Sequence, residues 1–152
     1  MFKILFVCTG NTCRSVMAEG LFKKILEEEA LDEEMAVSSA GTSAFFSTPA
    51  AENAILALEE LDIDIRDHKS TMLTDKLVYN ADLILTMTKS HKDQILSMIP
   101  EAKEEVFTII EYASDGEKGD ILDPFGMDIE TYRNCRDEIK NYLLKIIDKL
   151  RK

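Results

Sequence analysis

Short, almost continuously apolar segments alternate along this chain with longer segments whose apolar residues recur at helical spacing. Apolar runs of this length are typical of strands buried on both faces, and the amphipathic segments are typical of helices that cover a sheet. We therefore expect an α/β fold, a parallel sheet with helices on both faces. The predicted strands are Lys3–Cys8, Met35–Ser39, Asp82–Met87 and Glu105–Ile110, and the predicted helices are Ser15–Glu29, one opened by Thr48 and Pro49, Lys89–Met98, and Asp128–Leu150.

The size and charge of the chain exclude several classes of protein. A length of 152 residues predicts one domain spanning residues 1–152. The formal net charge of −11 disfavours binding to nucleic acid or to an anionic membrane surface. No segment approaches the roughly 18 apolar residues that a membrane span needs, and the first apolar run lacks the features of a signal peptide. We therefore expect a cytoplasmic protein, and we expect it to be a monomer.

The first predicted strand ends where ligands bind in sheets of this kind. In parallel α/β sheets, the binding site lies at the carboxyl ends of the strands. Cys8 occupies that end of the strand Lys3–Cys8, and the predicted helix from Ser15 follows within a few residues. The segment Cys8–Ser15 is therefore the first candidate for a functional site.

This segment has the composition of a phosphate-binding loop. A glycine and small polar residues allow the backbone N–H groups to converge beside a helix N-terminus, which makes an anion site. Arg14 adds a planar fork of donors that matches two phosphoryl oxygens, and the same positive field favours the thiolate form of Cys8. We expect phosphate to be bound by the residues that follow Cys8, namely Thr9, Gly10, Asn11, Thr12, Cys13, Arg14 and Ser15.

A second motif, Asp123-Pro124-Phe125-Gly126, lies in a loop rich in Gly, Asp and Pro. Phosphoryl transfer releases a poor leaving group unless an acid protonates it. A carboxyl group on a loop that faces the nucleophile can supply that proton. We therefore interpret Asp123 as the general acid and Phe125 as a wall of the substrate pocket.

Together the two motifs resemble the low-molecular-weight protein tyrosine phosphatase family, in their order and over the whole chain. The resemblance implies a Rossmann-like, four-stranded parallel sheet of the phosphotyrosine protein phosphatase I type, no metal, no cofactor, and a phosphocysteine intermediate. It also implies that Cys8 is the nucleophile, Arg14 the phosphoryl clamp and Asp123 the acid. By the same resemblance, Asn11, Ser15, Ser39 and His68 support the loop from behind.

Thr12 bears on the choice of substrate. Many tyrosine phosphatases of the family carry a bulky aliphatic residue at the matching position, whereas Thr12 resembles the bacterial protein-arginine-phosphatase branch. A hydroxyl can form a hydrogen bond with a guanidinium group, and a site built on such a bond penalises substrates that lack the partner. We expect phosphoarginine on proteins to be the substrate, with phosphotyrosine as the alternative. The partners implied are phosphorylated proteins.

Other functions agree less well with the sequence. Arsenate reductases with this loop require further cysteines in the middle of the chain, and residues 70–100 contain none. A catalytically silent phosphoprotein-binding module would not need Cys8, Arg14 and Asp123 together. His68 and His91 are isolated from the cysteines in sequence, so we expect no metal site. Cys13 can form a reversible disulfide with Cys8, which predicts redox sensitivity, whereas the spacing of Cys135 in the last helix places it in the core.

Overall fold

The computed structural model describes residues 1–151 and forms one four-stranded parallel sheet in the order β2-β1-β3-β4. This result confirms the predicted fold class. Of the domain predicted over residues 1–152, Lys152 lies outside the described residues. The strands are β1 (Phe2–Cys8), β2 (Met35–Gly41), β3 (Leu83–Thr86) and β4 (Val106–Thr108), and the helices are α1 (Arg14–Glu28), α2 (Glu52–Glu59), α3 (Asp75–Asn80), α4 (Lys89–Met98), α5 (Ile109–Ser114) and α6 (Ile129–Leu150), with a 3₁₀ helix at Pro100–Glu104.

Helices cover both faces of the sheet, because alternate residues of each strand point to opposite sides. On one face, Ile4 and Phe6 of β1 pack with the apolar residues of α1, α2, α5 and α6. On the other face, Leu5 and Val7 pack with α3, α4 and the 3₁₀ helix. A strand buried on both faces has to be apolar throughout, which is the pattern seen in the sequence.

Most element bounds agree with the predictions to within a few residues, but the start of α2 does not. The prediction that Thr48 caps this helix and that Pro49 opens it is wrong, since α2 begins at Glu52. The backbone N–H of Thr48 donates to Ser70 Oγ at 2.9 Å, and its carbonyl accepts from the N–H of Ser70 at 2.7 Å. These tertiary bonds hold the segment in an irregular conformation against the neighbouring loop, where local capping preferences are overridden.

The prediction of a strand over Glu105–Ile110 is too long. The strand β4 ends at Thr108, and α5 begins at Ile109. Thr108 and Glu111 form a reciprocal capping box, in which each side chain accepts a hydrogen bond from the other residue's backbone N–H. A Thr followed three residues later by Glu is a recognised helix start, so the signal was present in the sequence. The short helix α3 was also not predicted, although the Thr74 side chain accepts from the backbone N–H of Leu77 as its N-cap.

The order of the strands reverses at β1, because the strands that follow it are added first on one side of β1 and then on the other. The chain passes from β1 through α1 to β2 on one side, and later returns to β3 on the other side of β1. This arrangement leaves a crevice outside the carboxyl ends of β1 and β3, which is where open α/β sheets bind ligands. Within residues 1–151, no helix combines the length and apolar character needed to cross a membrane.

Candidate active site

The loop between β1 and α1 forms a tight, compact turn. Asn11 adopts a left-handed conformation with φ of 57°, which asparagine tolerates better than most residues. Gly41 at the end of β2 lies directly behind the loop. A Cβ atom added at Gly41 would lie 2.5 Å from the carbonyl oxygen of Thr9 and 3.0 Å from the N of Asn11, so only glycine permits this close approach.

Asn11 fixes the shape of the loop through its buried side chain. Its Nδ2 donates to Ser15 Oγ at 2.8 Å and to Ser39 Oγ at 2.9 Å, and its Oδ1 accepts from the backbone N–H of Thr71 at 2.9 Å. His68 Nε2 donates to the carbonyl oxygen of Asn11 at 2.7 Å. The structure therefore brings together the four residues that the family resemblance placed behind the loop: Asn11, Ser15, Ser39 and His68.

The sulfur of Cys8 lies at the base of the loop with hydrogen-bond donors around it. The backbone N–H of Asn11 donates to Cys8 Sγ at 3.3 Å. Ser15 Oγ lies 2.9 Å from the same sulfur and already accepts a hydrogen bond from Asn11, so its hydroxyl hydrogen is available to Cys8. Donors directed at sulfur stabilise its anionic form, the form that acts as a nucleophile.

Arg14 is the first residue of α1, and its guanidinium group is buried beside Cys8. Its Nη1 donates to the carbonyl oxygen of Ile121 at 2.9 Å, and its Nη2 lies 3.6 Å from Asp123 Oδ2. Its Nε is buried and has no hydrogen-bond partner among the described residues. A buried donor of a charged group without an acceptor is costly, and an anion in the loop is the acceptor that would satisfy it.

The loop between α5 and α6 brings Asp123 to the opposite side of the site. Asp123 Oδ1 accepts from the backbone N–H of Phe125 at 3.1 Å, which holds the loop in a tight turn. The Asp123 side chain is half exposed, whereas the Phe125 side chain is 67% exposed and stands at the rim. A carboxyl group in this position can reach a leaving group at the mouth of the site.

These residues enclose a cavity of about 210 Å³ at the carboxyl edge of the sheet. A larger cleft of about 330 Å³ lies elsewhere, between α1 and the segment after α2, but it contains neither Cys8 nor Arg14. Chemistry rather than size therefore identifies the smaller cavity as the candidate active site. Its lining consists of the predicted residues Cys8, Thr9, Gly10, Thr12, Cys13, Arg14, Asp123 and Phe125.

The other two cysteines differ from Cys8 in their surroundings. Cys13 Sγ is buried and lies 3.3 Å from the hydroxyl oxygen of Tyr132. Burial raises the pKa of Cys13, and it raises the pKa of Cys135 to about 12. Both therefore remain protonated thiols at neutral pH. Cys135 is in the core, as its helical spacing predicts.

Three residues near the loop were not found from the sequence. Glu19 Oε1 accepts from Ser39 Oγ at 2.5 Å, Thr71 supports Asn11, and His91 Nε2 lies 2.8 Å from Thr9 Oγ1. Only His91 had a readable signal, because it follows the predicted third strand by a few residues and so had to lie at the same edge as Cys8. Among residues 1–151, no group of three or more His, Cys, Asp or Glu side chains could hold a metal ion.

Comparisons with known proteins agree with this geometry. Residues 3–152 match the family described as low molecular weight phosphotyrosine protein phosphatase. The chain is 46% identical to a protein-arginine-phosphatase of Bacillus subtilis, over 98% of this chain and 97% of that one. It is 42% identical to a protein-arginine-phosphatase of Geobacillus stearothermophilus, over 98% of this chain and 96% of the relative.

A solved structure shows the same fold. It is a YwlE arginine phosphatase in which serine replaces the active-site cysteine and is phosphorylated; the two chains superpose with a TM-score of 0.94 and 43% identity, covering 99% of this chain and 97% of the other. The family resemblance predicted from two motifs is thereby confirmed. This chain belongs to the low molecular weight phosphotyrosine protein phosphatase family and is a cysteine-dependent phosphatase.

Proposed function

We propose that this protein hydrolyses phosphoarginine on proteins through a phosphocysteine intermediate formed on Cys8. The observation that carries the proposal is the convergence of a buried sulfur, a buried guanidinium group and a half-exposed carboxyl group on one small cavity. The three groups supply a nucleophile, a clamp for an oxyanion and an acid.

The loop supports the binding of a phosphoryl group in two ways. Its backbone curls at the N-terminus of the 15-residue helix α1, where the helix dipole and the free N–H groups favour an anion. The unpaired Nε of Arg14 offers a further buried donor. Since the net charge of the chain is −11, these local donors have to overcome an unfavourable overall field.

The proposed reaction has two steps. In the first, the Cys8 thiolate attacks phosphorus, the S–P bond forms, and the P–N bond to the guanidino group breaks as Asp123 gives its proton to the departing nitrogen. In the second, a water molecule attacks phosphorus, the S–P bond breaks, and Asp123 takes up a proton from that water. Arg14 is proposed to hold the phosphoryl oxygens in both steps.

Thr12 supports phosphoarginine as the substrate. Its side chain lines the cavity, and its hydroxyl oxygen lies 3.8 Å from Cys13 Sγ. A guanidino leaving group carries several N–H donors, which a hydroxyl oxygen can accept. The two relatives of highest identity reported above are named protein-arginine-phosphatases, which agrees with this choice.

Phosphotyrosine is the second candidate substrate. The exposed ring of Phe125 stands at the rim of the cavity, where it could stack on a phenyl group. The description of the family also names phosphotyrosine. The two candidates differ in the leaving group alone, so the same residues are proposed to act on both.

A paired assay separates the two substrates. We expect kcat/KM to be higher for a phosphoarginine peptide than for the phosphotyrosine peptide of the same flanking sequence. Thr12→Ile should shift the ratio toward phosphotyrosine by about tenfold or more, because an aliphatic side chain leaves the guanidino N–H groups without an acceptor. Thr74→Ile, the same change at an exposed position outside the cavity lining, should leave the ratio unchanged. An unchanged ratio in Thr12→Ile would remove Thr12 from the account of specificity.

Several further sequence-based predictions form part of the proposal. Its partners are phosphorylated proteins, not nucleic acid or membranes, and it acts as a monomer in the cytoplasm.

We also propose that peroxide inactivates the protein through a Cys8–Cys13 disulfide, which dithiothreitol reverses. Retention of the reversible inactivation in Cys13→Ser would contradict this last point.

A further inference from the structure

His91 is a buried histidine at the edge of the active site that the proposed chemistry does not use. It lies in the first turn of α4, just after the carboxyl end of β3, and its side chain is 4% exposed. Its Nε2 lies 2.8 Å from Thr9 Oγ1, and its Nδ1 lies 3.0 Å from Thr88 Oγ1. The imidazole therefore joins the N-cap of α4 to the residue that follows the nucleophile.

The hydrogen bonds of Thr88 favour one tautomer of the His91 ring. Thr88 Oγ1 accepts from the backbone N–H of His91 at 3.2 Å, as the N-cap of α4. Its own hydroxyl hydrogen then finds an acceptor in Nδ1. When Thr88 donates to Nδ1, the proton of the neutral ring is on Nε2, which then donates to Thr9 Oγ1.

Burial, together with the charge of Arg14, keeps the ring of His91 neutral. Burial and the charge of Arg14 lower the pKa of His91 to about 4, against the smaller opposing effects of Asp120 and Asp123. At neutral pH the ring therefore carries one proton and bridges two hydroxyl groups: Nδ1 accepts from Thr88, and Nε2 donates to Thr9.

The tautomer of His91 determines the direction of the Thr9 hydroxyl hydrogen. In this tautomer Thr9 Oγ1 accepts from Nε2, so its hydroxyl hydrogen points away from His91, and Thr9 lines the cavity. Building on the proposed function, we propose that the Thr9 hydroxyl donates a hydrogen bond to the bound phosphoryl group and that His91 is the positioning residue that orients it. Phosphoryl oxygens only accept hydrogen bonds, so a hydroxyl held as a donor matches them.

Two substitutions of His91 distinguish the roles of its two ring nitrogens. In His91→Asn the amide replaces Nδ1 and cannot reach Thr9, whereas in His91→Gln the amide nitrogen replaces Nε2 and can donate to Thr9. Thr9→Val removes the hydroxyl at constant volume. Ser90→Ala, at an exposed position of the same helical turn, is the control.

The readouts are the inhibition constant of inorganic phosphate and kcat/KM on p-nitrophenyl phosphate, with thermal unfolding to confirm that each variant is folded. We expect Thr9→Val and His91→Asn each to weaken phosphate binding by about tenfold, the range for a hydrogen bond to a charged group. The double variant should be no weaker than Thr9→Val alone, and His91→Gln should recover most of the loss.

Three results would overturn the inference: multiplied effects in the double variant, equal losses in His91→Asn and His91→Gln, or phosphate affinity unchanged in His91→Asn. Each leaves the proposed function standing as long as the wild-type protein hydrolyses the substrate. The absence of both hydrolysis and phosphate binding in the wild-type protein would instead contradict the proposed function itself.

Discussion

Asn11 shows how one side chain can determine a site. Its amide is fully buried and contacts Ser15, Ser39 and the backbone of Thr71, while its backbone has a positive φ. Each of these features favours asparagine over other residues, and together they hold the loop open around the sulfur of Cys8.

We predict that Asn11→Ala lowers the free energy of unfolding by about 2–4 kcal/mol, because it leaves several buried polar groups unpaired and places alanine at a positive φ. Denaturant unfolding followed by circular dichroism measures the change. Asn141→Ala, at an exposed position in α6, should change stability by less than about 0.5 kcal/mol. Equal stabilities of the two variants would contradict the role of Asn11.

His91 gives a prediction about pH. Its pKa is about 4 in the folded protein, below the ordinary value of 6.5. Between these values the unfolded chain binds more protons than the folded one, so the stabilising contribution is complete above pH 6.5 and is lost as the pH falls toward 4. From pH 7 to pH 4.5, wild type should lose about 2 kcal/mol more stability than His91→Gln. Parallel losses in the two proteins would contradict the assignment of a neutral, buried ring.

At the residue scale, the sequence predicted what is local and missed what is distant. Cys8, Arg14 and Asp123 could be found because each lies in a short motif whose chemistry is recognisable. Glu19 and Thr71 could not be found in this way, because neither lies in a motif with recognisable chemistry, and the only signal for His91 was its position just after the third predicted strand. Their contacts depend on the packing of whole elements, which residue spacing alone does not specify.

At the scale of elements, β2 approaches the loop so closely at Gly41 that no side chain fits between them. A Cβ at Gly41 would meet backbone atoms of Thr9 and Asn11, which cannot move without opening the loop. A Cβ at Gly10 would have only an ordinary contact, 3.6 Å from Thr12 Oγ1.

We therefore predict that Gly41→Ala lowers the free energy of unfolding by about 1–3 kcal/mol, as overpacking does elsewhere. It should also weaken phosphate binding, because the loop amides shift. Gly10→Ala should change stability by less than Gly41→Ala does, and thermal unfolding of the two variants measures the difference. A larger loss in Gly10→Ala would show that the close approach of β2 does not constrain the loop.

The element bounds show where local sequence signals fail. Lys89–Met98 was predicted to the residue, and in the structure Thr88 caps its start. The helix expected from Thr48 failed because the backbone of that segment is bound to Ser70 instead. Capping preferences contribute about 1 kcal/mol, which a pair of tertiary hydrogen bonds can outweigh.

At the scale of the whole molecule, the site binds an anion within an acidic protein. The net charge of −11 should repel acidic substrates at long range, while the donors of the loop act only at short range.

The fold class of the whole molecule could be predicted from the alternation of apolar runs, because a parallel sheet covered on both faces is the arrangement that buries them all.

The repulsion between this acidic protein and acidic substrates predicts that kcat/KM depends on the salt concentration. Raising the NaCl concentration from about 20 to 150 mM should increase kcat/KM for a phosphopeptide with acidic flanking residues, since salt screens the repulsion. A peptide with basic flanking residues should show the opposite trend. Identical salt dependence for the two peptides would mean that the overall charge does not influence encounter.

The central claim is that the sulfur of Cys8 attacks phosphorus inside the loop. The most direct measurement is mass spectrometry of Asp123→Asn, quenched in acid during turnover of p-nitrophenyl phosphate. This substrate releases its leaving group without an acid, whereas hydrolysis of the intermediate still requires Asp123 to activate water. The account predicts one phosphoryl group on Cys8, absent from the Asp123→Asn, Cys8→Ala double variant. Turnover with Cys8 unmodified, or retained hydrolysis in Cys8→Ala, would contradict it.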